Sequence, residues 1–131
     1  MHILAGSQDI PAGFASVETA IPAGFRGPVP HAHDEFDEAI YVLHGRLVVV
    51  GEKDGESAEM VRGSMFTAPR GQRHGFSNPF PEDAVVLGIW APAAPALAFM
   101  CDVGAVLSAD TPPDREQMRA CYTRHASRML P

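Results

Sequence analysis

The sequence predicts a mostly β protein, a small sandwich or barrel, closed off by a helical tail. Three observations predict it. The 131 residues suit one domain and leave little room for two. Twelve glycines and twelve prolines punctuate short runs rich in Val, Ile and aromatic residues. Past Pro92 that pattern gives way to alanine-rich and then helical periodicity, so residues 1–92 read as the β part and residues 93–131 as a helical extension packed on it.

Taken in order, Phe14–Ile21 alternates and stops at Pro22-Ala23-Gly24. Glu38–His44 is β-branched and aromatic, Gly45 interrupts it, and Arg46–Arg62 folds back at Lys53-Asp54-Gly55 as a hairpin. Ser64–Ala68 and Ala84–Trp90 are further strands on either side of a turn-rich stretch. Ala94–Leu107 predicts a short apolar helix. Thr111-Pro112-Pro113-Asp114 then supplies a cap, prolines and an acidic first turn for a second helix. That helix would carry Met118, Cys121, Tyr122, His125 and Met129 on one face. Both helices are expected to flank or lid the sheet, with Cys101 and Cys121 as buried, inert thiols.

Composition excludes several classes. Apolar residues make up 46% and charged residues 20%, a globular balance. Ten basic against sixteen acidic residues give a formal charge of −6, and the arginines are scattered, so no nucleic-acid partner is expected. The apolar stretches are too broken for a membrane span. The start, Met1-His2-Ile3-Leu4-Ala5-Gly6, has no signal-peptide pattern, and a cytoplasmic location is expected. Two cysteines make neither a disulfide framework nor a four-Cys zinc site.

Chemistry concentrates in four residues. His31 and His33 are two apart, so on an extended chain both rings point to one side with bases about 6.6 Å apart. Imidazoles at that separation can lean onto one ion with bonds of about 2.1 Å. Glu38 opens its strand on the face of Ile40 and Val42, where a carboxylate is costly unless a cation meets it. Solvated side chains or ordinary hydrogen bonds would also account for such residues. The Pro69-Arg70-Gly71 turn then delivers His74 to the next extended piece. Three imidazoles and one carboxylate suit a divalent first-row ion and leave room for water, dioxygen or substrate.

These residues resemble a known family. His31-x-His33-x4-Glu38-x6-Gly45 matches the first cupin motif, and Gly63-x5-Pro69-x-Gly71-x2-His74-x3-Asn78 matches the second. One departure is Phe25, which stands where a glycine usually precedes the first histidine, with Gly24 and Gly27 nearby. The resemblance implies a double-stranded β-helix, a jelly-roll cupin barrel. It also implies that His31, His33, Glu38 and His74 hold one divalent metal ion, which could be Fe, Mn, Ni, Cu, Co or Zn. The helical tail looks like that of small quercetin-dioxygenase-like cupins. Small cupins form homodimers, and a homodimer is expected here, with His2–Ala5 the piece to reach across.

The function so implied is metal-dependent dioxygenation of a small oxygenated organic molecule, with Glu38 as the catalytic base. A non-redox isomerase or cyclase, or a small-ligand-binding cupin without turnover, are the alternatives. A DNA-binding regulator with a cupin sensor is not expected, because few residues remain for a helix-turn-helix and the charge is negative. Ile40, Val42, Met65, Phe76 and Trp90 are the candidate lining of a substrate pocket by strand alternation, against the plain alternative of barrel core. Asn78 is expected to tie its turn together, His44 to be structural or exposed, and Arg70 and Arg73 to be available at the mouth for an anion.

Overall fold

A computed structural model describes residues 1–6, 8–9 and 13–130. Among these, the chain forms β1 (His2–Ala5), β2 (Ala15–Ile21), β3 (His31–His33), β4 (Asp37–His44), β5 (Arg46–Val50), β6 (Ser57–Val61), β7 (Met65–Ala68), β8 (Gly75–Ser77) and β9 (Ala84–Ala91). Two helices follow, α1 (Ala93–Leu107) and α2 (Arg115–Arg124), and then a last strand, β10 (Ser127–Met129). Every strand pairing is antiparallel.

One sheet has the order β1-β2-β9-β4-β7 and a second the order β6-β5-β8, while β10 and β3 pair as a separate ribbon. The two larger sheets face each other. Ile21, Ile40, Val42, Ala84 and Val86 from the first pack with Leu47, Val49 and Met60 from the second, and Phe66 and Phe76 lie against them. This is the mostly β, double-stranded β-helix architecture, a jelly roll whose sheets remain open at their edges. β1 is an edge strand and pairs with β2 of its own chain.

The central strand β9 shows why the sequence folds this way. Its run Ala-Val-Val-Leu-Gly-Ile-Trp-Ala alternates buried and half-buried positions, and it sits between β2 and β4. A near-continuous apolar run of this kind belongs in a sheet interior. The switch from one sheet to the other falls at Gly45, at φ +75°, where a Cβ would lie 2.7 Å from the Asp83 carbonyl oxygen. Only glycine fits that corner. The predicted hairpin closes as β5 and β6, in register from Arg46↔Val61 to Val50↔Ser57.

Asn78 is fully buried and ties its loop together. Its amide nitrogen donates to the Ile21 and Glu82 carbonyls, and its oxygen accepts from the Phe80 amide. α2 opens with a capping box in which Asp114 accepts from the Gln117 amide at 2.8 Å and Gln117 reciprocates at 2.9 Å. No helix of the described residues is long and apolar enough to cross a membrane.

Two expectations about the tail are corrected. The second helix does not run on to Met129. It ends at Arg124, Ala126 takes a left-handed backbone at φ 48°, and Met129 lies on β10 instead. Cys101 is exposed rather than buried, because α1 buries the stripe Ala93, Ala96 and Phe99, which does not include it. Cys121 is buried, and burial raises its thiol pKa above the ordinary value.

Candidate metal centre

β3 buries all three of its residues, and alternation sends the rings of His31 and His33 to the same side. The strand is held between two neighbours. On one side, Ser127, Arg128 and Met129 of β10 pair with His33, Ala32 and His31. On the other, His31 forms an isolated bridge with His74, placing the third imidazole beside the first with ring centroids 4.4 Å apart. Glu38 comes from β4, opposite Ala68 of β7 and Trp90 of β9.

The result is a compact cluster. One potential ligand atom from each of His31, His33, Glu38 and His74 lies within 4.8 Å of the others, and all four side chains are buried. The Glu38 Oε2 is 3.0 Å from His74 Nε2 and 3.6 Å from His33 Nε2.

Each imidazole is oriented through its other nitrogen. The Val29 carbonyl accepts from His31 Nδ1 at 2.8 Å and the Gln72 carbonyl from His74 Nδ1 at 3.0 Å. A carbonyl only accepts, so Nδ1 carries the proton and Nε2 faces the cluster. His33 Nδ1 meets Ser127 Oγ at 2.7 Å.

Burial lowers the His31 pKa to about 4, reinforced by the charge of His74; it lowers that of His33 to about 3, reinforced by His31. Both are therefore neutral bases near pH 7. Burial would raise the Glu38 pKa, but the hydrogen bond from His74 and the charges of the imidazoles bring it below the ordinary range. The same contact raises His74 against the pull of burial. In the absence of a cation, His74 and Glu38 are thus a buried ion pair.

Three nitrogen donors and one carboxylate oxygen fit a divalent first-row ion. The fit is chemical as well as spatial. Three ring nitrogens are already aimed inward, two of them neutral, and a carboxylate supplies the charge. The four residues singled out by their spacing are brought together by the fold, and they could hold one metal ion.

Around them lies an aromatic wall that sequence reasoning missed. Phe36 stacks on the His33 ring at 4.3 Å, while Phe99 from α1 meets the same ring edge-on at 4.7 Å. Tyr122 from α2 stands edge-on to His31 at 5.4 Å, and its phenol is pushed up to about 12 by burial. Helical periodicity marked Tyr122 as a packing residue but gave no sign of what it packs on. Nothing local marked Ser127.

The expected pocket residues divide. Ile40 and Val42 face inward within the main core, and Phe76 lies half-buried against it. Trp90 is buried with Val17, Phe36, Phe99 and Tyr122, close to the cluster. Met65 is corrected: it is 55% exposed, and its neighbour Phe66 takes the inward place, with its ring 6.2 Å from that of His74. The strand is one residue out of the expected phase, which swaps the two faces. Arg70 pairs with Asp37 and Arg73 donates to the Gly51 carbonyl, so both are engaged by the chain's own groups. His44 is exposed.

Comparison with known proteins agrees with this geometry. Residues 17–90 match the Cupin_2 family, described as a cupin domain. No curated protein matches the sequence. Among solved structures, the chain is similar to an uncharacterised protein with a double-stranded β-helix domain from Klebsiella pneumoniae. That match has a TM-score of 0.59 and 18% identity, over 70% of this chain and 75% of that one. A Cupin 2 conserved barrel domain protein from Salinispora arenicola is similar at TM-score 0.58 and 25% identity, over 71% and 75%. A cupin-superfamily sugar phosphate isomerase from Silicibacter pomeroyi is similar at TM-score 0.55 and 26% identity, over 62% of this chain and 52% of that one.

Proposed function

The chain belongs to the Cupin_2 family of cupin domains, and from that premise we propose that it is a metal-dependent enzyme acting on a small oxygenated organic molecule, with dioxygenation as the reaction. The observation that carries the metal reading is the convergence of His31, His33, Glu38 and His74 within 4.8 Å. The bound ion would supply Lewis acidity and, as Fe, Mn, Ni or Cu, the means to engage dioxygen.

The protein's own groups do the rest. Three imidazoles fixed through Nδ1 keep their Nε2 atoms aimed at one point; His31 and His33 present lone pairs there, and His74 would do so once its Nε2 proton gives way to the ion. Glu38 would be the base: it is ionised, and its carboxylate, on leaving the ion, can take a proton from an enol or hydroxyl of the substrate. Phe36, Phe99 and Tyr122 keep water from the imidazoles and offer apolar, aromatic surface to a substrate ring. Trp90, Ile40, Val42 and Phe76 continue that surface inward.

A non-redox reading is favoured by one specific observation, the likeness to a sugar phosphate isomerase. Glu38 would then shuttle a proton between adjacent carbons, and zinc would serve as the ion. Against it, the arginines beside the second motif are paired with the chain's own groups rather than presented to a phosphate.

The experiment is metal analysis of tag-free protein, followed by oxygen uptake with flavonols and diketones. Sugar phosphates in D2O are assayed alongside. Oxygen uptake supports dioxygenation. Deuterium incorporation without uptake supports isomerisation, and neither with metal-loaded protein leaves only a ligand-binding barrel.

A further inference from the structure

The first two histidine-orienting contacts are local. His31 and His74 each find the carbonyl two residues upstream, Val29 and Gln72, so the segments that carry them also aim them. His33 has no such local acceptor. Its Nδ1 contact is Ser127 Oγ, 94 positions along the chain and outside the residues that match the family.

We infer that Ser127 is a positioning residue that fixes the tautomer of His33, so that β10 completes the metal centre. This rests on the metal reading above. A serine hydroxyl has one proton. Here Ser127 directs it to the His125 carbonyl at 3.1 Å, which leaves Oγ to accept from His33 Nδ1–H at 2.7 Å. The lone pair of His33 is thereby placed on Nε2, the atom that faces Glu38. Ser127 is 2% exposed, so its hydroxyl is shielded from bulk water.

The backbone holds Ser127 in place. β10 pairs with β3 residue for residue, and the ribbon is extended at both ends by Asp34 N–H to the Ala126 carbonyl at 2.9 Å and Leu130 N–H to the Pro30 carbonyl at 2.7 Å. Just upstream, Asp102 of α1 accepts from Arg124 and His125, at 3.0 and 2.8 Å, and fixes the corner from which β10 departs. The helical tail thus reaches the metal centre by a defined route: Asp102, the His125 corner, Ser127, His33.

The test reads the metal-free protein first. With 15N-labelled histidine, His33 is expected as the Nδ1–H tautomer in the wild type and as a mixture in Ser127→Ala, whose strand pairing uses only backbone. Cobalt or zinc affinity, measured by chelator competition, is expected to fall about 10- to 100-fold in Ser127→Ala and to recover with Ser127→Thr. A wild-type His33 protonated on Nε2 overturns the proposal without any variant. So does a folded Ser127→Ala with unchanged tautomer and affinity, which would make Ser127 a packing residue only. A wild type that binds no divalent ion sinks the metal reading instead, and the tautomer measurement still decides the role of Ser127.

Discussion

The main chains of His31 and His74 are bonded to each other in both directions, His31 N–H to the His74 carbonyl at 2.9 Å and His74 N–H to the His31 carbonyl at 2.8 Å. Two metal-ligand candidates 43 positions apart are therefore registered by backbone, not by their side chains. It follows that a ring can be removed without releasing the bridge. His74→Ala is expected to keep its fold at a cost of about 3–5 kcal/mol, because it leaves the buried Glu38 carboxylate without its partner. It should lose divalent-ion retention by more than about 100-fold, beyond what an outer contact contributes. Circular dichroism and elemental analysis on the same sample check both halves; retained metal in a folded variant would remove His74 from the site.

The metal-free protein should lose stability as pH falls below about 6.5. His31 and His33 are neutral when folded, with pKa about 4 and about 3, against 6.5 when unfolded. Their folded values are depressed, so the contribution is complete above 6.5 and is lost on acidification. Between pH 6 and 4.5 the unfolded chain binds up to two more protons, giving a slope of at most about 3 kcal/mol per pH unit. His74 has a raised folded pKa, is protonated in both states in this window, and adds no slope there. Glu38 is lowered, so its contribution is lost only at still lower pH. Thermal midpoints across pH 7.5 to 4.5, with chelator present, would show the fall. A flat profile would mean that these imidazoles are not sealed from solvent.

How much of this was legible depended on the distance over which the determining contact acts. The ligand set was readable because alternation pairs His31 with His33 and a short turn delivers His74. Strand existence was readable from β-branched runs between glycines and prolines. Phase was not always: the β7 face is decided where the chain leaves the Gly63-Ser64 turn, and a one-residue slip exchanged Met65 for Phe66. The tail failed for a different reason. Its helical period continues through His125, but β3 offers a free edge to Ser127–Met129, and the left-handed Ala126 turns the chain onto it. A partner about 94 residues away leaves no trace in a local pattern.

The aromatic wall should act as a gate on the metal centre. Phe99 is 7% exposed and touches His33, Tyr122 and Phe36 at ring separations of 4.7, 5.1 and 6.0 Å. Phe99→Ala should cost about 3–5 kcal/mol from the cavity it leaves. It should also speed extraction of a bound ion by a chelator, because the side of His33 facing α1 becomes open to water. Phe99→Leu, which refills most of the volume, should restore slow extraction. Equal extraction rates in all three proteins would show that exchange proceeds by another path.

Trp90 gives the protein an internal reporter of the inner face of β9. Its indole lies across the backbone of Gly88, on the same face two residues earlier, so closely that a Cβ at Gly88 would be 2.3 Å from one ring carbon and 2.7 and 3.0 Å from two others. Gly88 is opposite Ile40 and Trp90 is opposite Glu38, so the ring spans the space between the apolar core and the carboxylate. Gly88→Ala must push a buried ring aside, at a cost of about 1–3 kcal/mol for overpacking. Trp90 is the single tryptophan, so its emission is unmixed. The variant should shift that emission to longer wavelength as the 8%-exposed ring moves toward water. Because the displaced ring is also a candidate pocket wall, the same substitution should weaken substrate binding while leaving the three imidazoles, which lie outside β9, in place. Unaltered emission and melting together would mean that the indole does not rest on Gly88.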